Sequence, residues 1–349
     1  MTERLSKNKV LLGLSGGVDS SACAVMLLEQ GFEVIGYCFD VLGKGDEAFD
    51  DARALALQIG IELICEDVSD DFNNTVISDF TEQYLSGKTP NPCIICNPAI
   101  KFQRLIKAAD EIGAYYIATG HYAKVIEKDD HFFIGTAANI AKDQSYMLYR
   151  LRESVLRRLI LPLGDFSSKD ETREKARNSS LKNADKRDSQ EICFIDPSED
   201  YASYISKLGF KSKSGFFINK DGKKLCEHKG ILNYTVGQRK GLGIALGKPA
   251  YVISIDPENG DVLLGDNEDL MKTEVISVDN YFTLGSSFTY EGKEILAKVR
   301  YSAKPAACKI LSKGNEIICN FTAPVRAPAP GQSIVFYENG LVIGGGFIK

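Results

Sequence analysis

The chain has 349 residues, 44% of them hydrophobic and 26% charged, with a net charge of −5. That length holds two or three domains, and the composition is that of an ordinary globular protein rather than a disordered or fibrous one. No apolar run approaches the roughly 20 residues of a membrane span. The first nine residues, Met-Thr-Glu-Arg-Leu-Ser-Lys-Asn-Lys, hold no apolar signal core, which predicts a cytoplasmic protein. There the nine cysteines stay reduced, available for catalysis or metal binding. The acidic net charge argues mildly against a nucleic-acid partner, but the distribution of charge matters more than its sum.

The first half alternates strand-like and helical runs. In chain order they are Lys9–Leu14, Asp19–Gln30, Phe32–Phe39, Glu47–Ile59, Ile61–Glu66, about Asp71–Leu85, Pro98–Ile112 and Ala114–Gly120. This alternation predicts an α/β fold with a doubly wound parallel sheet. Ligands of such sheets bind beyond the carboxyl ends of the strands. Gly13–Ser21, Phe39 and Gly120 follow three of these strands, so they are expected to converge. From Tyr146 to about Ala184 the pattern is helical and basic. Between Arg150 and Arg187 eleven basic residues stand against six acidic ones, leaving +5. From about Tyr201 to Met271 the runs are short and glycine-rich. The last stretch alternates over Ile295–Tyr301, Lys309–Ser312, Glu316–Thr322, Ser333–Tyr337 and Leu341–Phe347, with turn residues between. A small central domain and a C-terminal antiparallel β-barrel are therefore expected. The expected domains are 1–199, 200–272 and 273–349.

Residues Gly13 to Ser21 read Gly-Leu-Ser-Gly-Gly-Val-Asp-Ser-Ser. Glycines let the backbone turn tightly and approach an anion, and the helix that follows points free N–H groups at it. The loop lacks the lysine of a Walker A motif. Ser15 to Ser20 instead resembles the pyrophosphate loop of ATP-pyrophosphatase-type enzymes, which split ATP between the α and β phosphates. The loop alone leaves open a small-molecule ligase or amidotransferase, such as the argininosuccinate, GMP or NAD synthetases. A non-catalytic RNA-binding or metal-sensing protein also stays open.

Two cysteine segments carry the next signal. Thr89-Pro90-Asn91-Pro92-Cys93-Ile94-Ile95-Cys96-Asn97-Pro98 reads as a proline-stiffened loop entering a helix, with Asn97 as N-cap and Pro98 at the first helical position. Cys96 would then sit just outside a helix N-terminus, where the dipole favours the thiolate. In Asp188-Ser189-Gln190-Glu191-Ile192-Cys193-Phe194-Ile195, Cys193 lies in an apolar run and by itself reads as structural.

The combination resembles the tRNA-specific 2-thiouridylases, which replace the C2 oxygen of the wobble uridine with sulfur. The resemblance extends over nearly the whole chain. It rests on Ser15–Ser21, Thr89–Asn97 with Ile100-Lys101-Phe102, Ala118–Tyr122, Lys142–Tyr146, Ile192–Ile195, Gly237–Gly243 and Pro330–Gln332, in that order. It implies an adenine nucleotide α-hydrolase-like catalytic domain. It assigns Cys96 as nucleophile and Cys193 as the persulfide carrier, with a Cys96–Cys193 disulfide left after turnover. It assigns Gly13, Leu14, Ser15, Gly16, Gly17, Val18, Asp19, Ser20, Phe39 and Gly120 to ATP, with Mg²⁺ on the phosphates. Asn91, Pro92 and Cys93 would lie at the target base. His121, Lys142, Asp143, Gln144, Arg300, Tyr301 and Gln332 would contact tRNA, and the basic segment would neutralise its phosphates. The implied partners are the glutamine, lysine and glutamate tRNAs and a sulfur donor such as a cysteine desulfurase or relay protein, with no membrane.

One departure stands out. Many members of that family have aspartate where this chain has Cys93. With Cys96 and Cys193 it makes three thiols, and related thiolating enzymes of the same ATP-loop class hold a [4Fe–4S] cluster on three cysteines. Persulfide relay and cluster both remain open from sequence.

Overall fold

The computed structural model describes residues 5–186 and 192–349. Arg187, and Asp188 to Glu191 of the Cys193 motif, lie outside the described residues. The elements begin with β1 (Ser6–Gly13), α1 (Val18–Glu29), β2 (Glu33–Asp40), α2 (Asp50–Ile59), β3 (Glu62–Asp67), α3 (Ser69–Phe72) and α4 (Ser78–Leu85). Next come α5 (Pro92–Cys96), α6 (Phe102–Glu111), β4 (Ala114–Ala118), β5 (Lys124–Lys128), β6 (His131–Gly135), α7 (Glu153–Leu156), β7 (Leu159–Ile160) and α8 (Lys169–Asn178). After α9 (Tyr201–Lys207) come β8 (Phe216–Ile218), β9 (Lys224–Glu227), β10 (Tyr251–Ile255) and β11 (Val262–Gly265). The chain closes with β12 (Met271–Phe282), β13 (Ile295–Lys298), β14 (Ala306–Lys313), β15 (Glu316–Arg326), β16 (Ser333–Glu338) and β17 (Leu341–Ile348). The described residues pack as two compact units, one within Met1–Val76, Cys93–Gln190 and Asn339–Val342, the other within Ile77–Pro92, Glu191–Glu338 and Ile343–Lys349.

The first unit is built on a parallel sheet of order β3-β2-β1-β4-β7. Val10, Leu11 and Leu12 are fully buried, as a central parallel strand covered on both faces requires. Helix α1 lays Ala22, Cys23, Ala24 and Leu27 into the core beside Leu12 and Leu14, and Ala176 of α8 joins them. Strand order reverses between β1 and β4, which opens a crevice at their carboxyl ends. Gly13 and Ala118 end those two strands.

Three local expectations change. Asn97 is not an N-cap: the helical run starts at Pro92 and continues through a π-turn, Asn97–Lys101, into α6. Pro98 has no N–H to give, and the wider turn, with the Phe102 N–H bonded to the Asn97 carbonyl, carries the helix past it. Cys96 therefore lies within the helical run, not before it. The stretch 71–85 is likewise broken by a π-turn at Asn73–Ile77. The basic segment is only partly helical, because Leu159–Ile160 joins the parallel sheet beside β4.

Most of the basic segment is also spent internally. Lys169 pairs with Asp19, Lys175 with Glu29, Arg157 with Glu153, Arg177 with Asp185 and Lys186 with Asp51. Arg158, with its side chain 14% exposed, bridges to Asp110 at 2.8 Å and donates to the carbonyls of Tyr115 at 2.7 Å and Ala114 at 3.1 Å.

The second unit holds a closed antiparallel barrel of order β12-β15-β14-β13-β16-β17, with β12 pairing β17 to complete the circle. Val275, Ile310, Cys319, Phe336 and Ile343 fill it. A smaller four-stranded sheet, β10-β11-β8-β9, packs Phe217, Tyr234, Val252 and Val262 into its own core.

Arg158→Met would leave two carbonyls without this donor, while the half-exposed Asp110 stays solvated. Urea unfolding should show about 2–3 kcal/mol lost, with tRNA affinity unchanged. A tRNA defect at full stability would return Arg158 to the phosphate-binding role.

Candidate active site and reactive thiols

The crevice of the first unit is floored by the loop Gly13–Ser21. Gly17 is the N-cap of α1 and no side chain caps it, so the first helical N–H groups face the loop without a side-chain acceptor. Gly16 adopts φ +71, and a Cβ there would lie 2.5 Å from Cβ of Asp51. The Ser20 and Ser21 hydroxyls both donate to the Gly17 carbonyl, at 3.0 and 2.8 Å. The Ser15 N–H donates to Ser20 Oγ at 3.3 Å. Asn183 braces the loop from outside, its Nδ2 reaching the Gly16 carbonyl at 2.8 Å and Ser21 Oγ at 2.5 Å. Asp19 Oδ1 receives Lys169 Nζ at 2.6 Å and the Tyr122 hydroxyl at 2.9 Å, and that hydroxyl also meets Thr172 Oγ1 at 2.7 Å.

Gly120 follows β4 and lies against the start of α1, where a Cβ would stand 3.1 Å from the Asp19 backbone. Phe39 lies half-buried near the end of β2. Next to it, buried Asp40 accepts the Leu42 and Gly45 N–H groups at 2.8 and 2.9 Å, which shapes the turn after β2. The expected ATP residues thus share the carboxyl edge of one sheet. His121 bonds Thr119 Oγ1 through Nδ1 at 2.7 Å and stacks on Phe102 with ring centres 5.8 Å apart. Burial, with the Lys101 charge nearby, holds its pKa well below the ordinary histidine value. His121 is therefore neutral at pH 7.

The thiols sort by exposure. Cys23, Cys38, Cys308 and Cys319 are buried, and burial pushes the Cys23 thiol far up and Cys38 to about 11. Cys319 is raised by hydrogen bonding to Cys308 and by burial. Such thiols are inert. Cys93 and Cys193 are exposed and Cys96 is half-buried. Cys93 and Cys96 sit three residues apart on α5, on one helix side, with Ile94 buried between them. In the second unit, Phe194 anchors the Cys193 loop by meeting Phe80 of α4 at 5.2 Å and Tyr204 of α9 at 5.4 Å between ring centres. Among the described residues no three His, Cys, Asp or Glu side chains are placed to hold one metal ion.

The residues assigned to tRNA are engaged with the chain itself. Asp143 is buried and accepts from the N–H groups of Ala137 and Ser145 and from Ser145 Oγ at 2.7 Å. Gln144 Oε1 accepts the Tyr122 N–H at 2.9 Å. Arg300 donates to the carbonyls of Ala327 at 3.0 Å and Val236 at 2.6 Å. Gln332 Nε2 donates to the Thr89 carbonyl at 2.7 Å. Lys298 lies over the Tyr301 ring, 5.6 Å from its centre. Lys142 and Asn91 are half-buried, and Pro92 is buried. Lys169 and Asn183 hold the Gly13–Ser21 loop directly and Thr172 holds it through Tyr122; none was legible from sequence, since each lies about 150 residues beyond that loop.

Three family profiles match in order: tRNA methyl transferase HUP domain over residues 8–197, tRNA methyl transferase PRC-barrel domain over 204–266, and aminomethyltransferase beta-barrel domain over 276–348. The tRNA-specific 2-thiouridylase MnmA of Clostridium acetobutylicum is 43% identical over 98% of this chain and 99% of its own. A relative of the same description from Clostridium botulinum is 45% identical over 99% of both, and one from Acetivibrio thermocellus 42% over 99% of this chain and 100% of its own. The chain belongs to the tRNA-specific 2-thiouridylase family. A solved NMN synthetase from Francisella tularensis aligns with 52% of this chain and 66% of its own at 16% identity and a TM-score of 0.35, too distant to bear on the family's fold.

For this 2-thiouridylase-family chain, Gly16→Ala places a side chain in the left-handed region and against Asp51. ATP affinity by calorimetry should fall about tenfold or more. Binding at the original affinity would mean that the loop does not hold the phosphates.

Proposed function

We propose that the chain thiolates C2 of the wobble uridine of tRNA at the expense of ATP. Uridine O2 attacks the α-phosphate, an O–P bond forms, and pyrophosphate leaves. The C2 oxygen is then part of an AMP leaving group. The terminal sulfur of a Cys193 persulfide attacks C2 and AMP departs. The Cys96 thiolate next attacks the Cys193 sulfur and breaks the S–S bond. The nucleobase keeps the sulfur as 2-thiouridine, and two cysteine thiols have been oxidised to a Cys96–Cys193 disulfide. A thiol reductant and a persulfide donor, such as a cysteine desulfurase or relay protein, restore the starting state.

The observation that carries this reading is a phosphate loop without a lysine in a chain whose exposed thiols, among the described residues, are Cys93 and Cys193. A small-molecule ligase needs the loop but not the thiols. Methyl transfer, the term in two of the profile descriptions, uses neither. Asp19 is the one carboxylate of the Gly13–Ser21 loop, and one carboxylate with phosphate oxygens is a donor set that Mg²⁺ takes. Mg²⁺ there would neutralise charge on the phosphates. The wobble base must leave its stack to reach the crevice. We further propose glutamine, lysine and glutamate tRNAs as substrates, a cytoplasmic location, and domains 1–199, 200–272 and 273–349. Among the described residues no helix is long and apolar enough to cross a membrane.

A [4Fe–4S] cluster would need Cys93, Cys96 and Cys193 together. The steps above follow the persulfide route, and no step is routed through a cluster. Iron and labile sulfide, measured after anaerobic purification with thiolation assayed on the same sample, decide the matter. The persulfide reading expects full thiolation without iron, retained in Cys93→Ser. It expects losses on the order of 10³ or more in Cys96→Ser and Cys193→Ser. Stoichiometric cluster, lost with activity in Cys93→Ser, would overturn it.

A further inference from the structure

We infer that Cys38 and Cys65 form a dithiol site that small disulfides oxidise to an internal disulfide, with loss of ATP affinity; the loss of affinity rests on the reading of the Gly13–Ser21 crevice as an ATP site. The two cysteines are direct partners on neighbouring parallel strands, Cys38 of β2 against Cys65 of β3. Direct partners in a sheet point to the same face. Two residues earlier, Gly36 is likewise opposite Leu63, and a Cβ on Gly36 would lie 2.9 Å from Leu63 Cδ1. Phe49 and Ala52 cover this face, with Cys38 buried among them and Leu63 and Cys65 packed alongside. Neighbouring strands stand about 4.8 Å apart, inside the roughly 4.4–6.8 Å that a disulfide spans between Cα atoms.

The two thiols differ in access. Cys38 is 7% exposed, and burial, followed by the nearby Cys65 sulfur, raises it to about 11. Cys65 is half-buried. Arg53 of α2 hydrogen-bonds it, lies over the Phe49 ring at 5.4 Å and is tied to Asp46 at 2.7 Å. A cation beside a part-exposed thiol is the setting in which cysteines react. Cys65 therefore takes the first step. Its thiolate attacks one sulfur of a small disulfide RSSR, the S–S bond breaks, and RS⁻ leaves and is protonated to RSH. The Cys38 thiol, on losing its proton, attacks the Cys65 sulfur of the mixed disulfide and displaces the second RS⁻. Two cysteine thiols are oxidised and RSSR is reduced to two RSH.

Phe39 and Asp40 follow Cys38 directly and pair in register with Glu66 and Asp67. Asp40 shapes the turn after β2 through the Leu42 and Gly45 N–H groups. A disulfide brings its Cβ atoms to about 3.8 Å, closer than the strand spacing of about 4.8 Å. Oxidation thus draws β2 toward β3 immediately before Phe39, a residue proposed to hold ATP.

The test compares the full-length chain, reduced or treated with 2-hydroxyethyl disulfide, with Cys65→Ser treated in the same way. Disulfides are mapped by mass spectrometry and ATP Kd is measured by calorimetry. A Cys38–Cys65 disulfide is expected, with ATP bound about tenfold more weakly and the affinity restored by dithiothreitol. Cys65→Ser should bind ATP as the reduced chain does and keep that affinity after treatment. Unmodified Cys65, or a Cys65 adduct that never passes to Cys38, would overturn the inference. So would unchanged affinity in a chain carrying the mapped disulfide, or an equal loss in Cys65→Ser. Failure of the reduced chain to bind ATP would instead refute the nucleotide reading, while the disulfide map still judges the thiol pair.

Discussion

A glycine-rich loop can present a fixed row of N–H groups only if its tight curve is held in advance. An isolated glycine loop has too many conformations to present a fixed row of N–H groups, and ordering it on binding would consume affinity. Here the curve is held from three sides. Asn183 grips the Gly16 carbonyl and Ser21, the serines of the loop fold back on Gly17, and Lys169 with Tyr122 fixes Asp19. The braces come from distant parts of the chain but from the same folded unit. The conformation of the loop is therefore a property of the folded unit around it, not of the motif alone.

The same economy runs through the rest of the molecule. Loops that handle a large substrate cannot satisfy their own backbone with ladders, so side chains must do it. Asp143 serves the N–H groups of Ala137 and Ser145, Gln144 serves Tyr122, and Arg300 serves two carbonyls next to the Gly237–Gly243 segment. The thiols follow a complementary rule: burial silences Cys23, the Cys308 hydrogen bond with burial silences Cys319, while Cys93 and Cys193 stay open to solvent.

Much of this was legible in the sequence because the relevant signals are local. Val10 to Leu12 followed by paired glycines specifies a buried strand and an anion loop, and the alternating runs after Ile295 specify barrel strands. What was missed lacked a local signal. The hairpin of β5 and β6 turns on Asp129 and Asp130, both at positive φ, where the usual glycine is absent. Strand β12 opens with Met-Lys-Thr-Glu, too polar to read as a strand, and its pairing with β17 is set by barrel closure. Pro98 looked like a helix start because a proline inside a helix normally breaks it, whereas the π-turn absorbs it. The ion-pair partners of the basic stretch after Arg150, such as Asp19 and Glu29, also carry no local signal, because sequence shows charges but not their partners.

Adenylation and sulfur transfer are tested together in one turnover. Persulfide-loaded enzyme, mixed with ATP labelled at the α-phosphate and substoichiometric tRNA, should be followed through a single turnover, with disulfides mapped by mass spectrometry. AMP, pyrophosphate, 2-thiouridine and a Cys96–Cys193 disulfide should appear together, one for one. ADP and phosphate in place of AMP, or 2-thiouridine without the disulfide, would contradict the account.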